Sequence, residues 1–142
     1  MTAGTGFDPI DRTVQKTFEW LKEIEQDLGS DDRYRAYHAL RSVLHHLRDR
    51  LTVNEAADLA AELPLLIRGI FYEGWNPAKV PVKIRHRDEF LGLIARDFPE
   101  EPEENAEKIA RAVFNVLRRH VAAGEIEDVL NALPKELREL VT

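Results

Sequence analysis

Leu63-Pro64-Leu65-Leu66-Ile67-Arg68-Gly69-Ile70-Phe71-Tyr72-Glu73-Gly74-Trp75 is the stretch that settles the architecture. Pro64 cannot donate a backbone hydrogen bond into the preceding turn, so a helix running into Leu63 must break there. The apolar residues that follow suffice for a short second helix over 65–72, which Gly74 stops. Shifted by 70 positions, Leu63-Pro64 falls on Leu133-Pro134, and the match extends without a gap from residues 18–72 onto 88–142. Identical pairs include Leu21 and Leu91, Ile24 and Ile94, Asp27 and Asp97, Arg41 and Arg111, Leu47 and Leu117, Arg48 and Arg118, Glu55 and Glu125, Asp58 and Asp128, and Arg68 and Arg138. Self-similarity at a fixed offset reads as two copies of one supersecondary unit.

Upstream of the stretch, Thr52-Val53-Asn54-Glu55 has the form of a capping box, which predicts a helix carrying Ala56, Leu59, Ala60 and Leu63. Before it, Asp31 and Asp32 offer an N-cap to a helix with Tyr37, Leu40, Val43, Leu44, Leu47 and Leu51 on its apolar face. The first helix opens at Asp8-Pro9, with Asp8 as the expected N-cap. It carries Ile10, Val14, Phe18, Leu21, Ile24 and Leu28 at steps of three and four, and Gly29 suits a left-handed C-cap.

Downstream, Pro77 and Pro81 with alternating Val80, Val82 and Ile84 predict an extended connector. Helix resumes near His86 with Phe90, Leu91, Ile94 and Phe98. Glutamates around Pro102 suit the positive end of the next helix, Gly124 suggests a turn, and Leu133-Pro134 leads into a last short helix. The fold expected is all-α: one domain over 1–142 of about eight helices, built from two tandem four-helix repeats. Repeat one spans about 9–75, a basic junction 76–85, and repeat two about 86–142.

Composition narrows the function. The chain of 142 residues carries 20 Lys and Arg against 26 Asp and Glu, a net charge of -6, which disfavours non-specific attraction to nucleic acid or anionic lipid. No Cys occurs, so disulfides, thiol nucleophiles and cysteine-ligated zinc are excluded and a reducing, cytoplasmic setting is expected. Neither the N-terminal residues Met1 to Asp8 nor any later run reads as an export signal or a membrane span. There is no G-x-S-x-G, H-E-x-x-H, P-loop or dinucleotide glycine pattern, so the reading leans away from an enzyme and assigns no cofactor.

A residue needed at one active site has no reason to recur at equivalent positions, so the charges shared by both halves read as scaffold. Arg48 with Asp58, and Glu55 with Arg68, are the expected inter-helix pairs. Three unshared features remain. The first is the aromatic segment Phe71 to Trp75, whose Tyr72, Glu73 and Trp75 could plug a seam or form a contact surface. The second is the basic junction with Lys79, Lys83, Arg85, His86 and Arg87. The third is His45 with Asp49 at i+4, two potential metal ligands on one helix face with no others evident. A non-enzymatic interaction module with a protein partner, self or other, is therefore expected, on a surface of Tyr72, Glu73, Trp75, Lys83, Arg85 and Arg87. A small-molecule or anion site near Tyr72, Trp75 and Arg85 is the alternative, and a metal-dependent enzyme at His45 and Asp49 a weaker one.

Ala39-Leu40-Arg41-Ser42-Val43-Leu44-His45-His46-Leu47-Arg48-Asp49-Arg50-Leu51, then Glu55-Ala56, Leu63-Pro64 and Arg68 to Trp75, resemble the bacterial and archaeal family catalogued as domain of unknown function 2267. The resemblance covers most of the chain, and Tyr72-Glu73-Gly74-Trp75 is its most specific part. Phe71 stands where that family commonly has Tyr. What the resemblance implies is an all-helical single domain, and it brings no activity or substrate.

Overall fold

Local backbone chemistry sets the helix ends in the computed structural model, which describes residues 4–142; residues 1–3, the start of the segment read as lacking an export signal, lie outside the described residues. Among these residues the chain forms α1 (Asp8–Leu28), α2 (Arg33–Arg50), α3 (Val53–Ala61), α4 (Leu65–Tyr72), α5 (Arg87–Arg96), α6 (Asn105–His120), α7 (Ala123–Ala132) and α8 (Lys135–Val141). The fold is all-helical, as expected. Gly29, at φ 65°, ends α1 in the left-handed conformation, and Ser30 N–H bonds the Glu25 carbonyl at 3.0 Å. The Asp32 carboxylate accepts from Arg35 N–H at 3.1 Å, and both bonds of the Thr52–Glu55 capping box are present. Residues 80–85 carry no regular structure, with Val80, Val82 and Ile84 half-buried and Pro81, Lys83 and Arg85 exposed. That alternation is the period-two pattern of an extended chain lying on a surface.

Several boundaries recur at a separation of 70: α2 ends at Arg50 and α6 at His120, α3 begins at Val53 and α7 at Ala123, α4 begins at Leu65 and α8 at Lys135. The packing follows the same exchange. Helix α1 packs on α2 as α5 does on α6, α2 on α4 as α6 on α8, and α1 on α4 as α5 on α8. Across the halves α1 meets α6 and α5 meets α2, while the α2–α6 and α3–α7 contacts map onto themselves. Trp20, Leu40, Leu44, Leu47, Phe71, Phe90, Ile94 and Leu117 lie in the continuous core, each large side chain adding about 1.5–3 kcal/mol when buried.

Departures from expectation have physical reasons. Asp8 is the first residue of α1 rather than its cap, and Phe7 occupies that position without a side-chain bond. The buried face of α1 is Thr17, Trp20, Leu21, Ile24, Glu25 and Leu28, so it is turned away from Phe18, which is 40% exposed beneath the Arg33 guanidinium; Ile10, at 42%, lies in the helix's uncovered first turn. Tyr37 is likewise 39% exposed rather than core. Gly124 sits inside the first turn of α7 and has no positive φ, so it bends nothing. Neither expected inter-helix pair forms. Arg68 donates to the carbonyls of Ala60 and Leu63, binding the end of α3 to α4, and Arg48 turns toward α4 instead of Asp58. Asp58 faces Glu125, whose pKa is pushed up by burial and then by Asp128, Asp58 and Glu62.

Candidate functional site

The C-terminal end of α4 leaves carbonyls without helical partners, and α2 supplies donors to them. His45 Nε2–H donates to Ile70 O at 2.6 Å, and Arg48 Nη1 donates to Phe71 O at 2.9 Å and to Glu73 O at 2.8 Å. Arg41 pairs with the Glu73 carboxylate. The spacing Arg41, His45, Arg48 is i, i+4, i+7, one face of a helix, so α2 presents three donors to the segment that runs into Trp75. Positive charge also suits the negative pole of α4. Only 4% of the Arg48 side chain is exposed, and its Nε donates to Asp49 Oδ1 at 2.8 Å.

On this clamp sits an aromatic ladder. Phe71 is fully buried, and Tyr72 meets it edge-on at 5.5 Å between centroids; Trp75 lies 5.3 Å from Tyr72. Tyr72 and Trp75 are half-buried against the core, and Glu73 is exposed. The segment is thus both a seam and a surface. Beside it, a groove of about 490 Å³ between α2 and α4 is lined by Tyr37, Leu66, Gly69, Ile70, Tyr72 and Glu73. Leu66, 42% exposed, and Tyr37 belong to this surface; Tyr37 was expected on the buried face of its helix, since 3.6-residue periodicity does not say which stripe meets a neighbour.

The junction is tied to the far end of α2. Val82 N–H donates to Asp49 O at 2.8 Å and Arg50 Nε to Ile84 O at 2.7 Å. This turns Lys83 and Arg85 outward on the same side, about 7 Å apart in extended chain. Neither they nor Lys79 has a carboxylate partner among the described residues. Arg87 belongs elsewhere: it pairs with Glu107 at 2.5 Å and Glu139 at 3.8 Å, inside the second half. His86 Nδ1–H donates to Glu136 at 2.9 Å, which raises its pKa. The structure therefore brings Tyr72, Glu73 and Trp75 together, sets Lys83 and Arg85 on the adjoining connector, and turns Arg87 toward Glu107 and Glu139.

The metal reading meets two committed side chains. His45 is engaged by Ile70 and Asp49 by Arg48, and no group of three or more potential ligands occurs among the described residues. Burial lowers the His45 pKa, partly offset by the Ile70 carbonyl and reinforced by Arg48 and Arg41. No described helix is long and apolar enough to cross a membrane.

The model of an uncharacterised conserved protein family, DUF2267, matches residues 17–140. No curated protein matches the chain.

Proposed function

The chain belongs to this uncharacterised conserved family, and from that premise we propose that it is a non-enzymatic docking module for an acidic segment of a partner protein. The observation that carries the reading is the outward row of Lys79, Lys83 and Arg85, three cations within seven residues and without carboxylate partners among the described residues, in a chain of net charge -6. Along α2 the surface runs from Tyr37 past Tyr72 and Trp75 to the connector at Arg50, about 20 Å, enough for a short peptide. Tyr and Trp give large contact area with few torsions to freeze, and unpaired cations steer an acidic ligand. An apolar side chain of the partner would enter the groove beside Tyr37 and Leu66, while its carboxylates meet Lys83 and Arg85.

We take the two halves to be copies of one four-helix unit, with the unmatched middle supplying this surface. The cytoplasm is the setting the reading assigns to it.

Affinity capture with the intact chain and with a Lys83→Glu, Arg85→Glu variant, followed by binary titration of each purified partner, tests the proposal. Loss of about tenfold or more in affinity on charge reversal, growing weaker in salt, is the expected result. Partners that bind both proteins equally, or saturation of the surface by inorganic phosphate with no effect of any peptide, would overturn it.

A further inference from the structure

A second cavity, of about 470 Å³, lies where the start of α1, the Leu63–Leu65 bend and the end of α6 converge. Its floor includes Trp20, 1% exposed, whose indole ring stacks on His120 at 5.1 Å and 23° between planes. The Trp20 Nε1–H is buried and has no hydrogen-bond partner among the described residues. A donor withdrawn from water without an acceptor is unfavourable, and this one belongs to the ring that lines the cavity. The wall supplies more donors. Thr13 Oγ1 accepts from Leu66 N–H at 2.9 Å, and its own proton has no acceptor among the described residues. Arg12 and Lys16, exposed and one turn apart on α1, line the same cavity without carboxylate partners among the described residues. The apolar part of the wall is Leu63, Pro64 and Leu65.

One carboxylate, Glu62, reaches the rim, and its Oε1 is engaged by Ala122 N–H at 3.3 Å. His120 is committed through Nε2 to Glu23 at 2.8 Å. An apolar wall with convergent donors and a positive rim is the composition of a small-molecule site, and the volume lies within the usual range for one.

We propose that this cavity binds a small organic carboxylate, its apolar body against Trp20 and the Leu63–Leu65 bend and its carboxylate toward Arg12, Lys16 and the Thr13 hydroxyl. The site is independent of the docking surface, and either can fail without the other. Binding would add weight to the junction between the halves, because α1, α4 and α6 all contribute.

The test is titration of the purified full-length chain with benzoate, phenylacetate and decanoate, alongside benzamide as an uncharged counterpart, followed by the two indole N–H resonances in ¹H–¹⁵N spectra. A Trp20→Phe variant assigns the peaks. The expected result is a saturable shift of the Trp20 resonance with at least one carboxylate, about tenfold weaker with benzamide and about tenfold weaker in an Arg12→Gln, Lys16→Gln variant. Both substituted residues are exposed, so the fold survives the change. No saturable shift with any of the three carboxylates, equal binding of benzamide, or unchanged affinity in the variant would overturn the proposal.

Discussion

Arg48 on α2 holds the backbone of Glu73, donating to its carbonyl at 2.8 Å while the guanidinium is almost wholly buried. Its counterpart 70 positions on, Arg118, is exposed and among the described residues bonds Asn115 on its own helix. The same residue type thus does unlike work in the two halves. Arg48→Ala strands the Phe71 and Glu73 carbonyls and Asp49, and a loss of about 2–4 kcal/mol is expected. Arg118→Ala should change stability by less than about 0.5 kcal/mol. Urea denaturation midpoints of the two variants check this; equal losses would contradict it.

His45 predicts a pH dependence. Its folded pKa is lowered, chiefly by burial, so the unfolded chain binds the proton more readily. The contribution is present above the ordinary histidine value of about 6.5 and is lost as pH falls through the folded value. His86, raised by its bond to Glu136, acts in the opposite sense, losing its contribution as pH rises. In a His86→Gln background, therefore, thermal stability should fall below about pH 6.5 when His45 is present, and fall less in a His45→Gln variant. Identical slopes in both proteins would contradict the assignment.

Asp97 ties α5 to α2. Burial pushes its carboxyl up, but hydrogen bonds from Ser42 at 2.7 Å and His46 at 2.9 Å outweigh this and hold it below the ordinary value. Its counterpart Asp27 crosses the other way, to Asn115 and Arg119 on α6. Asp97→Asn should cost about 1 kcal/mol at pH 7, the carboxylate being partly solvated. For a lowered carboxyl that contribution is present above the unfolded value and lost as pH falls through the folded one, so the gap between variant and parent should close toward about pH 3. Denaturation curves at the two pH values measure it.

Caps offer a gain. Thr52 caps α3 with Glu55 at the third position, whereas Ala122 stands before α7 with Glu125 at the same spacing and no side-chain bond. The two cap residues have similar backbones, φ -67° with ψ 167° and φ -55° with ψ 139°. Ala122→Thr should therefore raise stability by about 0.5–1.5 kcal/mol, and Thr52→Ala lower it by about 1 kcal/mol. Calorimetric melting of both variants gives the answer.

Helix ends were legible because their chemistry is local. Gly29, Thr52 with Glu55, and Pro64 each act on backbone groups within a few residues, so composition and spacing suffice to place α1, α3 and α4. The extended connector was readable for the same reason from Pro81 and the alternation through Ile84, but Pro77–Lys79, expected to be extended too, forms a 3-10 turn whose first amide N–H the Asn76 side chain caps. Tyr72 and Trp75 stood out as a cluster, but whether they were seam or surface depended on how far α2 covers them.

Charges were a different matter. Arg48, Arg68 and Arg87 look alike on polar helix faces, yet the first is buried in a clamp on α4, the second grips the end of α3, and the third pairs within the second half. Long side chains reach several ångströms in any direction, and their partners lie up to 52 residues away. The class of fold and the positions of its breaks follow from the order of the amino acids, because backbone hydrogen bonding is satisfied within a turn. The clamp, the groove beside Tyr37 and the cavity lined by Trp20 exist only once α1, α2, α4 and α6 are packed, because they are made by helices that are distant in the chain.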